Sequence, residues 1–124
     1  MRPEDFSFDD ITITNTRPEH AQGVYDTVRL AYGVPLDEEC EECCYPDAVL
    51  EQIQRFPEGQ FAALTLENGV ETVVGIAATM RGNPPPSEER HQWRDAIGSM
   101  GIAKHVSEGE RLYGVEGSVR PADA

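Results

Sequence analysis

Three cysteines, at positions 40, 43 and 44, stand in and beside an acidic run, Asp37-Glu38-Glu39-Cys40-Glu41-Glu42. Cys40 and Cys43 have the C-x-x-C spacing that supplies half of a tetrahedral zinc site. No second pair completes it, and His20, His91 and His105 are scattered along the chain and read as exposed, so no metal is expected. An odd count with two adjacent members is no disulfide framework, and reduced, small, buried thiols at a loop-to-helix junction are expected. The flanking glutamates repel a thiolate, which argues against a nucleophilic cysteine. The acidic run itself has two readings, a solvated face or a field that concentrates a cation such as a protonated amine. Glu116 lies in the middle of a strand-like run, where a carboxylate ordinarily faces outward at an edge. Facing a cleft instead, burial would suit it to general base work. The chain has no G-x-S-x-G, Walker loop or G-x-G-x-x-G, which removes the main support for hydrolase, kinase and dinucleotide readings.

The elements that must position these groups follow from periodicity. Ile11-Thr12-Ile13-Thr14 alternates like a half-buried strand, β1 (11–14). Thr16, Pro18 and Glu19 form a helix start, a capping box with a proline in the first turn. Ala21, Val24, Tyr25, Val28 and Tyr32 make one stripe of α1 (18–32), stopped by Gly33 and Pro35. Pro46 opens α2 (46–56), with Val49, Leu50, Ile53 and Phe56 on one face. Asn68-Gly69 predicts a tight hairpin between β2 (60–66) and β3 (70–80), with Gly75 marking a bulge. Residues 83–109 read as a helical insertion in which Ser87 caps a short helix turning Trp93, Ala96, Ile97 and Met100 inward. The run 111–119 is β4. Strands and helices mix without βαβ alternation, so the class is α+β, a mainly antiparallel sheet flanked by helices.

Composition sets the outer bounds. The 124 residues suit one domain, residues 1–124, with 1–9 as a flexible lead-in. Leu, Ile, Val and Phe together number 26, which predicts a thin core. A net charge of −13 and a pI near 4.4 disfavour a nucleic-acid backbone as partner, because a phosphate chain needs a basic stripe, and none is expected. No apolar run reaches the ~18 residues of a membrane helix. Acidic residues in the first five positions do not fit a signal peptide, so a soluble cytoplasmic protein is expected.

Two strings carry a family resemblance. Thr16-Arg17-Pro18-Glu19-His20 after β1 resembles the "xxRPxD" opening of the GNAT superfamily of N-acetyltransferases. Leu112-Tyr113-Gly114-Val115-Glu116-Gly117-Ser118-Val119-Arg120-Pro121 resembles that fold's fourth strand running into its V-x-P turn. The order β1-α1-α2-β2-β3-(insertion)-β4 is similar to the N-terminal half of the family along nearly the whole chain. The resemblance implies acetyl-CoA as co-substrate and direct attack of an amine on its thioester. Backbone groups of Gly117, Ser118 and Val119 would meet the acetyl-CoA, and Glu116 would take the amine's proton. Tyr32, Glu38, Glu39 and Cys43 would shape the acceptor site for a small amine or a protein N-terminus or side chain. The family's R/Q-x-x-G-x-G/A pyrophosphate loop would follow Ala124, so the resemblance implies an incomplete domain whose activity alone is in question. The alternative is a non-catalytic acidic interaction domain that pairs through the β4 edge, as a homodimer for example.

Overall fold

The computed structural model describes residues 10–41, 43–83 and 96–121. It consists of β1 (Thr12–Asn15), α1 (Ala21–Ala31), α2 (Pro46–Arg55), β2 (Gln60–Glu67), β3 (Val70–Gly82) and β4 (Arg111–Val119). A single turn of 3-10 helix, Pro18–His20, leads into α1, and another, Pro57–Gly59, links α2 to β2. The strands form one sheet in the order β1-β2-β3-β4, and every neighbouring pair is antiparallel. This is the α+β architecture that the periodicity predicts. Of the insertion, the part containing Ser87, His91 and Trp93 lies outside the described residues.

Local chemistry explains most element boundaries. Asn68 (φ 53°) and Gly69 (φ 79°) both adopt positive φ, the geometry that makes a two-residue hairpin match the twist of its strands. Gly33 (φ 80°) ends α1, and the Val34 amide returns to the Arg29 carbonyl at 2.8 Å. The start of the α1 region differs from the expected box. His20, not Glu19, closes it: the Arg17 amide donates to His20 Nδ1 at 2.9 Å and the His20 amide donates to the Arg17 carbonyl. Thr16 is buried and its amide pairs with the Gln60 carbonyl. His20 is thus buried rather than exposed, with Nε2 3.2 Å from Glu71 Oε1, which also accepts from Arg17. The β3 bulge falls beside Gly75, at Val74, since Ala63 pairs with Gly75 and Leu64 with Val73.

Helices α1 and α2 cover one face of the sheet. Ala21, Val24, Tyr25 and Val28 of α1 pack with Val49 of α2 on Ala62, Leu64, Val73 and Ile76. Thr27, fully buried in that interface, donates to the Val73 carbonyl. On α2 the buried stripe is Val49 and Gln52, followed by Phe56; Leu50, expected on it, is exposed because 49, 52 and 56 share the helical spacing. Ile13, expected to be half-buried, points instead to the opposite face and is 65% exposed. A second cluster, Phe56, Ala78, Met80, Ile97, Ile102 and Val115, closes the other end of the same face.

His105 is half-buried, not exposed. Its ring stacks on Phe56 with centroids 4.5 Å apart, and Nδ1 accepts from the Arg81 amide. Burial pulls its pKa below the ordinary 6.5; Glu58 opposes this and Arg81 reinforces it. The neutral ring therefore favours the fold, so stability should be constant above about pH 6.5 and fall as the pH drops through the folded-state value. Denaturant unfolding across that range should show the loss, and His105→Gln should flatten it.

Candidate functional site

The β4 strand aims its carboxylate through a second bulge. Ala78 pairs with Glu116 and Thr79 with Gly114, which leaves Val115 opposite no β3 residue. Side chains in a regular strand alternate, but a bulge lets two consecutive residues face one side. Val115 enters the second cluster, and the half-buried Glu116 faces the cleft rather than turning outward from the edge. Tyr32, at the C-cap of α1, donates its hydroxyl to Glu116 Oε2 at 2.8 Å. Ser118, buried two residues along the same face, donates to Oε1 at 2.9 Å. Both carboxylate oxygens are therefore held, and each has the capacity to accept a further hydrogen bond.

The cleft, about 980 Å³, lies between two loops. One wall is the α1–α2 connection, which contributes Val34, Glu39, Glu41 and a disulfide between Cys40 and Cys43. The expectation of three reduced thiols is thus corrected: the chain reverses between 40 and 43, with the Cys43 amide bonded to the Cys40 carbonyl, and this turn brings the two sulfurs together. The Cys40 amide donates to the Tyr25 hydroxyl, and the Arg29 guanidinium donates to the Glu38 carbonyl. The other wall is Ile97, Gly98, Ser99 and Met100. Helix α2 fixes it: Gln52 donates to the Met100 carbonyl and Arg55 to the Gly101 carbonyl, both at 2.6 Å.

Cys44 remains a thiol behind this wall. It is buried and accepts from Gln52 Nε2 at 3.3 Å. Burial first, and then the nearby Glu116, push its pKa up to about 12. Because the folded value lies above the unfolded one, stability should be intact below about pH 9 and fall by up to ~1.4 kcal/mol per pH unit toward pH 12. Alkaline denaturant unfolding of the protein and of Cys44→Ala, which should remove that slope, checks this.

Of the residues singled out by sequence, Tyr32, Glu39, Cys43 and Glu116 all line the cleft. Glu38 is exposed beside it and is not among the lining residues. Gly117 and Val119 pair with Ala77 and Gly75, and the Val119 side chain is 74% exposed, away from Ser118. Sequence reasoning missed Gly98, Ser99 and Gln52. Gln52 had a signal, since a polar residue three positions after Val49 interrupts an apolar stripe. Three carboxylates, Glu39, Glu41 and Glu116, line the cleft, and no Lys, Arg or His does among the described residues. Among the described residues, no group of three or more His, Cys, Asp or Glu is placed to hold a metal, and no helix is long and apolar enough to cross a membrane.

The antiparallel β1–β4 sheet with two helices on one face and a bulged fourth strand is a GNAT-like fold. Solved structures share it, among them two GNAT-like ones. The GNAT-like decarboxylase GphF, in complex with isobutyryl-CoA, superposes with a TM-score of 0.63 at 19% identity over 90% of this chain and 49% of that one. The loading GNATL domain of CurA from Lyngbya majuscula gives 0.59 at 15% identity, over 90% and 48%. In sequence, an alignment of 85 positions that covers 63% of the chain is 28% identical to the probable hydrolase YhcX of Bacillus subtilis strain 168. No family model matches. The chain spans 16% of YhcX and about half of each solved chain.

Proposed function

We propose that the cleft is the acceptor site of an acyl-CoA-dependent N-acyltransferase, with acetyl-CoA as donor and a cationic amine as acceptor. The observation that carries this reading is Glu116, a carboxylate on the bulged strand, fixed by two hydroxyls in a cleft lined by two further carboxylates. Glu39 and Glu41 draw the ammonium form in, and Glu116 takes a proton from it to leave a nucleophilic amine. The amine nitrogen bonds to the thioester carbonyl carbon, the carbon–sulfur bond breaks, and the extra proton left on that nitrogen passes to the departing thiolate, which leaves as CoA. Backbone groups of Gly117, Ser118 and Val119 are assigned to the acyl-CoA. The acyl-CoA held by the GphF structure supports the donor class. A carboxylated acyl group would meet three like charges in this cleft, which favours transfer over decarboxylation here.

Calorimetry with acetyl-CoA and, separately, with an alkylamine tests the reading. Heat is expected with both, and the amine affinity should weaken as salt is raised. Absence of heat with either would overturn it. A second reading, strand addition along β4 by a second copy or another protein, draws on the position of β4 at the end of the sheet order. Light scattering after size exclusion decides it: a monomer at all concentrations would exclude the homodimer.

A further inference from the structure

We propose that Cys40 and Cys43 form a reversible dithiol–disulfide couple whose state sets the positions of Glu39 and Glu41 in the cleft wall. The bond spans a separation of only three residues, and both ends lie in the connection between α1 and α2. The stabilisation from a cross-link rises with the logarithm of the loop it closes, so a bond across so short a loop contributes at the low end. Since it ties no two elements together, the fold is expected to persist without it. What it does constrain is local. Asp37, Glu38, Glu39 and Glu41 are exposed like charges within five positions of one another, and the bond closes the turn that holds Glu41 and adjoins Glu39 against that repulsion. Breaking it releases the turn that presents Glu39 and Glu41.

Both cysteines line the cleft, which gives a small dithiol its route to otherwise buried residues. The exchange balances with such a reductant. One of its thiolates attacks a sulfur of the pair to form a mixed disulfide, and its second thiol closes its own ring. The Cys40–Cys43 bond breaks, and two electrons and two protons pass to the two cysteines. Cys44 stays out of the exchange: it is buried, held by Gln52 and protonated, so it does not attack its neighbour. The surrounding carboxylates repel an anionic thiol, so uncharged dithiothreitol should reduce the pair faster than glutathione, and salt should narrow the difference.

The couple stands on the geometry of the segment; its consequence for binding rests on the acceptor-site reading. The test poises the full chain in mixtures of reduced and oxidised dithiothreitol, alkylates it after unfolding and weighs the product. One alkylated cysteine at the oxidised end and three at the reduced end, with Cys40 and Cys43 changing together, are expected. Three free thiols at every ratio, or a pair that includes Cys44, would overturn the couple. Hydrogen exchange over residues 34–44 should quicken about tenfold on reduction while β2 and β3 stay protected, and a Cys40→Ser, Cys43→Ser variant should show the fast exchange at every ratio. Unchanged exchange in that segment overturns the switch. If exchange changes but alkylamine affinity, expected to fall severalfold on reduction, stays constant, the link to the cleft is overturned and the couple stands.

Discussion

Glu116→Gln is expected to slow amine acylation by ~10²–10⁴-fold, the range over which a positioned general base contributes, with KM for the acyl-CoA unchanged. The substitution keeps the size of the side chain and its place beside Tyr32 and Ser118, but removes the carboxylate fixed there to take the ammonium proton. Tyr32→Phe and Ser118→Ala each remove one hydrogen bond to a carboxylate that remains charged, and each should cost about 1.5–3 kcal/mol at most, the worth of a bond to a charged group. Steady-state kinetics of the three variants side by side read this ordering. Equal losses in all three would mean that the cleft depends on its shape rather than on the carboxylate.

Gly109→Ala is expected to destabilise the fold strongly, by about 3 kcal/mol or more, the upper end for overpacking, whereas Gly101→Ala should cost about 1 kcal/mol or less. Both glycines are buried and both are close to something. A Cβ on Gly109 would come within 2.6 Å of the Gly82 backbone nitrogen and oxygen, at the end of β3, and a strand cannot step aside. A Cβ on Gly101 would meet the carboxylate end of Glu51, which can swing away at the cost of its exposed pair with Arg55, and the Glu51 Cβ at 3.0 Å, which has to give by a few tenths of an ångström. Urea unfolding of the two variants gives the contrast directly. Since Arg81 also donates through Nε and Nη2 to the Gly109 carbonyl, loss at this point should loosen the loop that carries the cleft's second wall.

These expectations rest on features with unequal footing in the sequence. Asn68-Gly69 and the prolines at 18 and 46 announce their structures because the constraint lies within the residue itself, in φ or in a missing donor. The α1 stripe was legible for a similar reason, since four of its apolar positions need only helical periodicity to face one way. Glu116 was legible as an oddity but not in its direction. Its orientation depends on where the register slips against β3, and a one-residue slip reverses every side chain. His20 illustrates the same limit: nothing next to it in sequence announces Glu71, which reaches it from the start of β3. The disulfide is not legible because an odd count of cysteines argues about totals, while pairing is settled by the local geometry that brings Cys43 back to Cys40.

The sharpest measurement identifies the product formed by the full chain from acetyl-CoA in the presence of an alkylamine. Transfer and hydrolysis both start from acetyl-CoA but leave different products, and mass spectrometry distinguishes them. An acyl group on the amine nitrogen, formed one for one with released CoA and missing in Glu116→Gln, is the expected result. Release of CoA with free acid and an unmodified amine would contradict the assignment of the cleft as an amine acceptor site.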